Sequence, residues 1–216
     1  MISLAPSNDP DQIYDVILIS GEFYADHPHS GVGVIARVLD AEGYHIGIIE
    51  KPDWTNFHSF LKFGIPRLFW GVTSGPVDSM LQNYTPLKNP RAKDRYNPYE
   101  SHIPDRAVIV YTQKIQQAEN WFRKHQKTKE LTQDAKKLST PIILGGVEAS
   151  LRRFTHYDYW DNALRKPILF DSKADLLVYG PGEFQIVQIA NRLDKDENIS
   201  GIEGTCEILS EKPQNI

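Results

Sequence analysis

Apolar residues along this chain gather in short, nearly continuous runs: DVILIS from Asp15, YHIGIIE from Tyr44, RLFWGVTS from Arg67, AVIVYT from Ala107, PIILGG from Pro141 and DLLVYG from Asp175. Runs of this length, rich in Val and Ile and without polar alternation, suit strands covered on both faces. Other segments carry helical spacing. GVGVIARVLDAEG from Gly31 sets Val34, Ile35, Val38 and Leu39 on one side, with Gly43 as a stop signal. EFQIVQIANRLDKD from Glu183 repeats the arrangement with Ile186, Val187, Ile189, Ala190 and Leu193. The alternation predicts an α/β fold, a doubly wound, mostly parallel sheet with helices on both faces.

Two stretches break this rhythm. From Tyr84 to Asp105 the chain contains Pro86, Pro90, Pro98 and Pro104 and few apolar residues, which predicts a long surface excursion between strands. Excursions of that length in compact domains either carry function or lack fixed structure. From Gln113 a polar stretch predicts a helix with Ile115, Ala118, Trp121 and Phe122 as its buried stripe and a lysine-rich, solvated second half. Acidic residues interspersed among those lysines argue against a nucleic-acid surface. The expected organisation is a flexible N-terminus over 1–13, a single domain over 14–208 with the excursion near 84–105, and a tail over 209–216.

Composition narrows the picture. With 216 residues, 40% of them hydrophobic, the chain can fill one core and is short for two. A net charge of -4 and a pI near 6.0 supply no overall pull toward nucleic acid or anionic lipid. The first residues lack a basic start followed by an apolar run, and nowhere do about 18 apolar residues stand together, so a cytoplasmic protein with no membrane partner is expected. The single cysteine, Cys206, excludes an internal disulfide and any three-thiolate cluster site made by one copy of this chain.

In a parallel sheet, ligands bind beyond the carboxyl ends of the strands, so the loops that follow the runs are the places to inspect. After the first run stand Gly21, Glu22, Asp26, His27, His29, Gly31 and Gly33. These glycines would let backbone N–H groups approach an anion, but the spacing is not that of a dinucleotide fingerprint. Asp26, His27 and His29 are suitable metal ligands by type, yet neighbours in sequence seldom complete a site, and no metal is assigned. A hydrogen-bonded loop in which Asp26 or Ser30 caps the helix is the plainer reading.

After the third run, Ser74 and Gly75 precede Pro76 at the expected start of a helix, and Asp78 and Ser79 then fall in its first turn, where an acidic side chain suits the helix dipole. After the fifth, Gly145 and Gly146 precede a crowded connection holding Glu148, Arg152, Arg153, His156, Tyr157, Asp158, Tyr159, Trp160 and Asp161. Arg152 and Arg153 could clamp a carboxylate or phosphate beside flat aromatic surfaces, or the charges could pair among themselves. After the sixth, GPGE places Gly180 and Gly182 at another tight loop before a helix.

The strings DVILISGEFYADHP, GVTSGPVDSM, PDRAVIVYTQ, ILGGVEASLRRFTHYDYWDN and ILFDSKADLLVYG, with the GxGE at Gly180 to Glu183, occur in the order found at the start of YgiQ-type radical SAM proteins. From about Tyr14 to Cys206 the chain resembles that N-terminal region, and GGVEASLRRFTHYDYW is its most specific block. The resemblance implies a Rossmann-like or flavodoxin-like domain that precedes a catalytic barrel. In the family, the barrel's C-x-x-x-C-x-x-C motif holds a 4Fe-4S cluster, which binds S-adenosylmethionine for reductive cleavage. That motif is absent here, so the chain alone is expected to bind neither. The excursion near Tyr96 and Pro98 and the long polar helix after Gln113 also depart from the family pattern. Some radical SAM enzymes carry cobalamin on a Rossmann-like domain. Its Asp-x-His-x-x-Gly ligation pattern would need histidine where Pro28 stands, which disfavours cobalamin.

The expected role is substrate recognition or regulation for a radical SAM enzyme whose barrel lies in the same polypeptide or on a separate chain. A stand-alone protein for a nucleotide-like or cobalamin-like ligand, and a truncated remnant, are the alternatives. The residues assigned to ligand or interface contact are Gly21, Glu22, Asp26, His27, Gly31, Ser74, Gly75, Asp78, Gly145, Gly146, Glu148, Arg152, Arg153, His156, Tyr157 and Asp158, and none is assigned to catalysis.

Overall fold

Among the described residues nine strands follow in chain order: β1 (Ile2–Ser3), β2 (Val16–Ser20), β3 (Ile46–Glu50), β4 (Phe69–Thr73), β5 (Ile142–Leu144), β6 (His156–Asp158), β7 (Ala163–Arg165), β8 (Leu176–Val178) and β9 (Thr205–Cys206). The helices are α1 (Gly31–Ala41), α2 (Ser79–Asn83), α3 (Ala107–Gln126), α4 (Gly146–Leu151), α5 (Ile168–Ser172) and α6 (Glu183–Asp194), with a 3-10 turn at Phe57–Leu61. The computed structural model describes residues 1–7, 9, 12–24, 30–91, 103–126 and 139–211.

Seven strands form one sheet in the order β1-β3-β2-β4-β5-β8-β9. All its pairings are parallel except that of β9 with β8. Reading only the five central strands, the chain's first strand lies second in the sheet, with its successor on one side and later strands on the other. That is the flavodoxin-like order, and it places a topological switch point between β2 and β4. The remaining strands, β6 and β7, form a separate antiparallel hairpin.

The apolar runs are near-continuous because successive side chains face different helical layers. Ile17 and Ile19 pack with Tyr111, Ile115 and Ala118 of α3, while Val16 and Leu18 pack with Ala36 and Leu39 of α1 and Ile189 of α6. Within the first layer, buried Glu119 accepts a hydrogen bond from Trp70 Nε1 at 2.7 Å, which satisfies the one polar atom that the indole brings inside.

Four details depart from the sequence expectations. The run AVIVYT from Ala107 is the start of α3 and not a strand: Ala107, Val108, Tyr111 and Ile115 are buried at helical spacing, and the polar stretch after Gln113 is the same helix continued. β-Branched content alone cannot distinguish a buried helical turn from a strand, and here tertiary contacts at its N-terminus decide it. The buried face of α1 is Val32, Gly33, Ala36 and Leu39, rotated from the one expected, because the small Gly33 and Ala36 allow close approach to the sheet. Asp78 does not lie within the first turn of α2 but is its N-cap, accepting from Met80 N at 2.9 Å. Ile2–Ser3, in the segment expected to be a flexible lead-in, pairs with β3 as an edge strand. The lysine-rich stretch 127–138 and the excursion's centre, 92–102, lie outside the described residues.

Candidate functional site

The carboxyl ends of β2, β4, β5 and β8 share one side of the sheet, and a cleft of about 470 Å³ opens there between the starts of α1 and α6. Its walls are apolar, with Leu18, Val32, Ile35, Ile143, Val178 and Ile186 prominent, and its rim is backbone-rich, formed by Ser30, Gly31, Gly75, Gly145, Gly146 and Gly180 to Gly182. A Cβ added at Gly31, Gly145 or Gly180 would meet no protein atom within 4 Å. Space beside a cleft-lining backbone is what a ligand needs in order to approach it closely. At Gly146 the requirement is conformational, since its φ of +82° lets β5 turn directly into α4.

Beneath the cleft, three short loops are locked together. Gly21 passes so close to the β4 loop that a Cβ would lie 2.2 Å from the Ser74 carbonyl oxygen. Ser74 is buried and donates its hydroxyl to Val77 O at 2.9 Å. Glu22 accepts from Gln82 Nε2 at 2.7 Å. Glu148, fully buried on α4, accepts from Ser79 N at 2.8 Å and from Val108 N at 3.1 Å, so one carboxyl group serves the first turns of α2 and α3. Asp78 pairs with Arg152. Burial pushes the Glu148 carboxyl above its ordinary range, against the opposing pull of its hydrogen bonds from Ser79.

The hairpin carries a second network. Burial opposes ionisation of Asp158, but Arg106 donates to it at 2.9 and 3.1 Å, and the backbone N–H groups of Trp160 and Asp161 add two further bonds. The favourable contacts prevail and hold this carboxyl below its ordinary range. Arg165 bridges Asp158 to Asp161. Lys88 Nζ lies 4.6 Å from the Tyr159 ring centre, and Tyr159 donates to Pro86 O at 2.7 Å, which ties the described part of the excursion to the hairpin.

The candidate residues thus fall into distinct places. Gly31, Gly75, Gly145 and Gly146 border the cleft, while Gly21, Glu22 and Ser74 support the loops behind it. Asp78, Glu148 and Arg152 form an interior cluster. Arg153 does not share a clamp with Arg152 but lies over the rings of Phe154 and Tyr179. On the hairpin, Asp158 faces inward, Tyr157 is exposed, and His156 Nδ1 lies 3.0 Å from Phe154 O. Asp26 and His27 lie outside the described residues. Cleft residues missing from the sequence-based set include Val147, Ile186 and the loop Gly180 to Gly182. The GPGE string between a strand and a helix was the available signal for that loop.

The sequence profile of the family described as Radical SAM N-terminal matches residues 7–215. The chain belongs to the radical SAM N-terminal family. A UPF0313 protein of Clostridium botulinum strain 657 is 45% identical to it over 201 residues, 91% of this chain and 29% of that protein. A putative UPF0313 protein of Yersinia pestis is 42% identical over 191 residues, 88% of this chain and 22% of that protein. This radical SAM N-terminal chain therefore spans less than a third of the curated relatives it matches.

Among solved structures, the fold is similar to that of TsrM, a radical S-adenosylmethionine methyltransferase from Kitasatospora setae, with tryptophan substrate and a SAM analogue bound. The TM-score is 0.54 at 17% identity, covering 90% of this chain and 28% of that one. A TsrM structure with cobalamin and a [4Fe-4S] cluster bound gives 0.50 at 17% identity, covering 92% and 28%. Among the described residues of the radical SAM N-terminal chain, no helix is long and apolar enough to cross a membrane, and no group of three His, Cys, Asp or Glu side chains is placed to hold a metal ion.

Proposed function

We propose that this chain is the recognition module of a radical SAM protein, and that its cleft holds a small molecule for chemistry carried out elsewhere in that protein. The observation that carries the proposal is the cleft itself, with apolar walls and a glycine-rich rim, at the sheet's switch point. Family membership and the larger size of the relatives support a catalytic part beyond the chain.

The residues present do not fit a 4Fe-4S cluster. Cys206 is the sole thiol, it sits half-buried on β9, and burial pushes its pKa up, away from the thiolate that ligates iron. No step of the radical chemistry is assigned to this chain.

Cobalamin stands differently. The proline at position 28 in place of histidine bears only on a lower imidazole ligand. A cleft with apolar walls and glycine backbone suits a bulky ring system held without that ligand, and the fold is shared with a protein solved with cobalamin bound. Contrary to the sequence expectation, cobalamin is therefore not disfavoured. When bound, such a cofactor would supply alkyl-transfer chemistry, while Gly31, Gly75, Gly145 and Gly180 would provide close backbone contact.

Thermal shift and calorimetric titration with cobalamin, S-adenosylmethionine and adenosine nucleotides test the proposal. A ligand selective for the folded state at 100 times its Kd should add about 2.7 kcal/mol of stability. The expected result is stabilisation by one of these classes and its reduction by Gly145→Ala. Absence of binding by all three, with the chain folded, would overturn the proposal.

A further inference from the structure

Helix α4 is built inside out. Its one charged residue, Glu148, is fully buried, whereas Val147 and Leu151, one turn apart on the same face, are 45% and 61% exposed. A helix covered only by solvent would carry the opposite polarity. The apolar face continues beyond the helix. Phe154 is 63% exposed, and the Arg153 guanidinium lies 4.7 Å from its ring centre and 5.0 Å from that of Tyr179, which joins the end of α4 to the end of β8. Tyr179 leads through Gly180 to Gly182 into the first turn of α6, where Phe184 is 71% exposed. Val147, Gly180 and Glu183 also line the cleft, so this apolar surface borders its mouth.

We propose that the surface formed by Val147, Leu151, Phe154, Tyr179 and Phe184 is the docking face for the remainder of the longer radical SAM polypeptide, which packs over the cleft mouth. The proposal rests on reading the chain as one part of such a protein. Two observations select this occupant over a second copy of the chain. More than two thirds of each relative lies outside the matched region, and that polypeptide must pack somewhere. The surface also adjoins the cleft from which any bound molecule would have to meet the catalytic part, whereas a second copy would cover that mouth and bring no cluster cysteines. Clustered exposed aromatic and aliphatic side chains beside a concave site are characteristic of such interfaces.

Carbene footprinting with a diazirine probe, in the absence of any cleft ligand, tests the proposal. This chain is compared alone and as a chimera in which it replaces the matching region of the Clostridium botulinum relative. Leu151, Phe154 and Phe184 should be labelled at least about fivefold less in the chimera, as for side chains in a water-excluding interface core, while Leu87, which is 82% exposed elsewhere, should keep its labelling. Leu151→Asp together with Phe184→Asp should leave the isolated chain folded and restore labelling of Phe154 in the chimera. Equal labelling of the patch in both forms would overturn the proposal. Protection of the isolated chain that grows with its concentration would also overturn it, by showing a second copy on the same face.

If the chimera does not fold, the full-length relative and its own N-terminal region are compared at peptides matching 147–154 and 180–184, and the same outcomes decide. Since no ligand is present, failure of cleft binding and failure of docking are read separately.

Discussion

Replacing Glu148 by alanine tests whether one buried carboxyl group organises the supports of the cleft. In the native chain it accepts from Ser79 N and Val108 N, two donors that lie in the first turns of α2 and α3, where N–H groups have no partner within their own helices. Alanine leaves both donors buried and unpaired. At about 1–3 kcal/mol for each buried polar group so stranded, the expected loss is roughly 4 kcal/mol, or on the order of 10 °C in Tm for a domain of this size. Glu148→Gln keeps the shape and one acceptor oxygen, so it should lose about half as much.

The two variants also separate by pH. The folded pKa of Glu148 is raised above its ordinary value of 4.5, so the protonated form is favoured by folding. Its contribution is fully present below the unfolded pKa and is lost as pH rises through the folded value. Wild type should therefore decline in stability over that window, and Glu148→Gln should lack this component. Urea denaturation followed by tryptophan fluorescence and circular dichroism measures both effects, with Trp70 of the core as a native reporter. A Glu148→Ala variant within about 0.5 kcal/mol of wild type at neutral pH would refute the reasoning, because that is the range of ordinary surface substitutions.

Other outcomes follow from the same structure. Asp158→Ala should cost about 1–3 kcal/mol by removing the buried acceptor shared by Arg106 and the Trp160 and Asp161 N–H groups, while Arg106 keeps its pairing with Asp161. Because the Asp158 pKa is depressed below 3.8, its contribution is present above the unfolded value and is lost as pH falls through the folded one, so acid denaturation curves of wild type and variant should converge at low pH. Arg152→Ala should destabilise the fold by about 3 kcal/mol in a urea titration through loss of its buried pairing with Asp78, whereas Arg153→Ala, which removes ring contacts, should cost about 1 kcal/mol. Gly31→Ala should raise thermal stability by up to about 1 kcal/mol from helix propensity, while weakening ligand binding in calorimetry because the new methyl group narrows the cleft.

Much of the fold can be read locally. The runs at β2, β3, β4, β5 and β8 are legible because burial on both faces removes polar alternation, and α1 and α6 are legible from their amphipathic period. The loops that border the cleft follow from these elements, since the carboxyl ends of parallel strands must share one side of the sheet. The GGVEASLRRFTHYDYW block likewise identified the family directly.

By itself, the sequence determined the alternating α/β architecture and the glycine-bearing loops after its strands, because both depend on spacings within a few residues. Tertiary structure decided that Ala107 to Thr112 is helical, since donors at the start of α3 find Glu148 and Ser79 from distant segments. It also decided that Glu148 and Arg152 face inward while Val147 and Leu151 face outward. Local hydrophobicity predicts the reverse for α4, and only the meeting of three helix ends around one carboxyl group makes the inverted arrangement favourable.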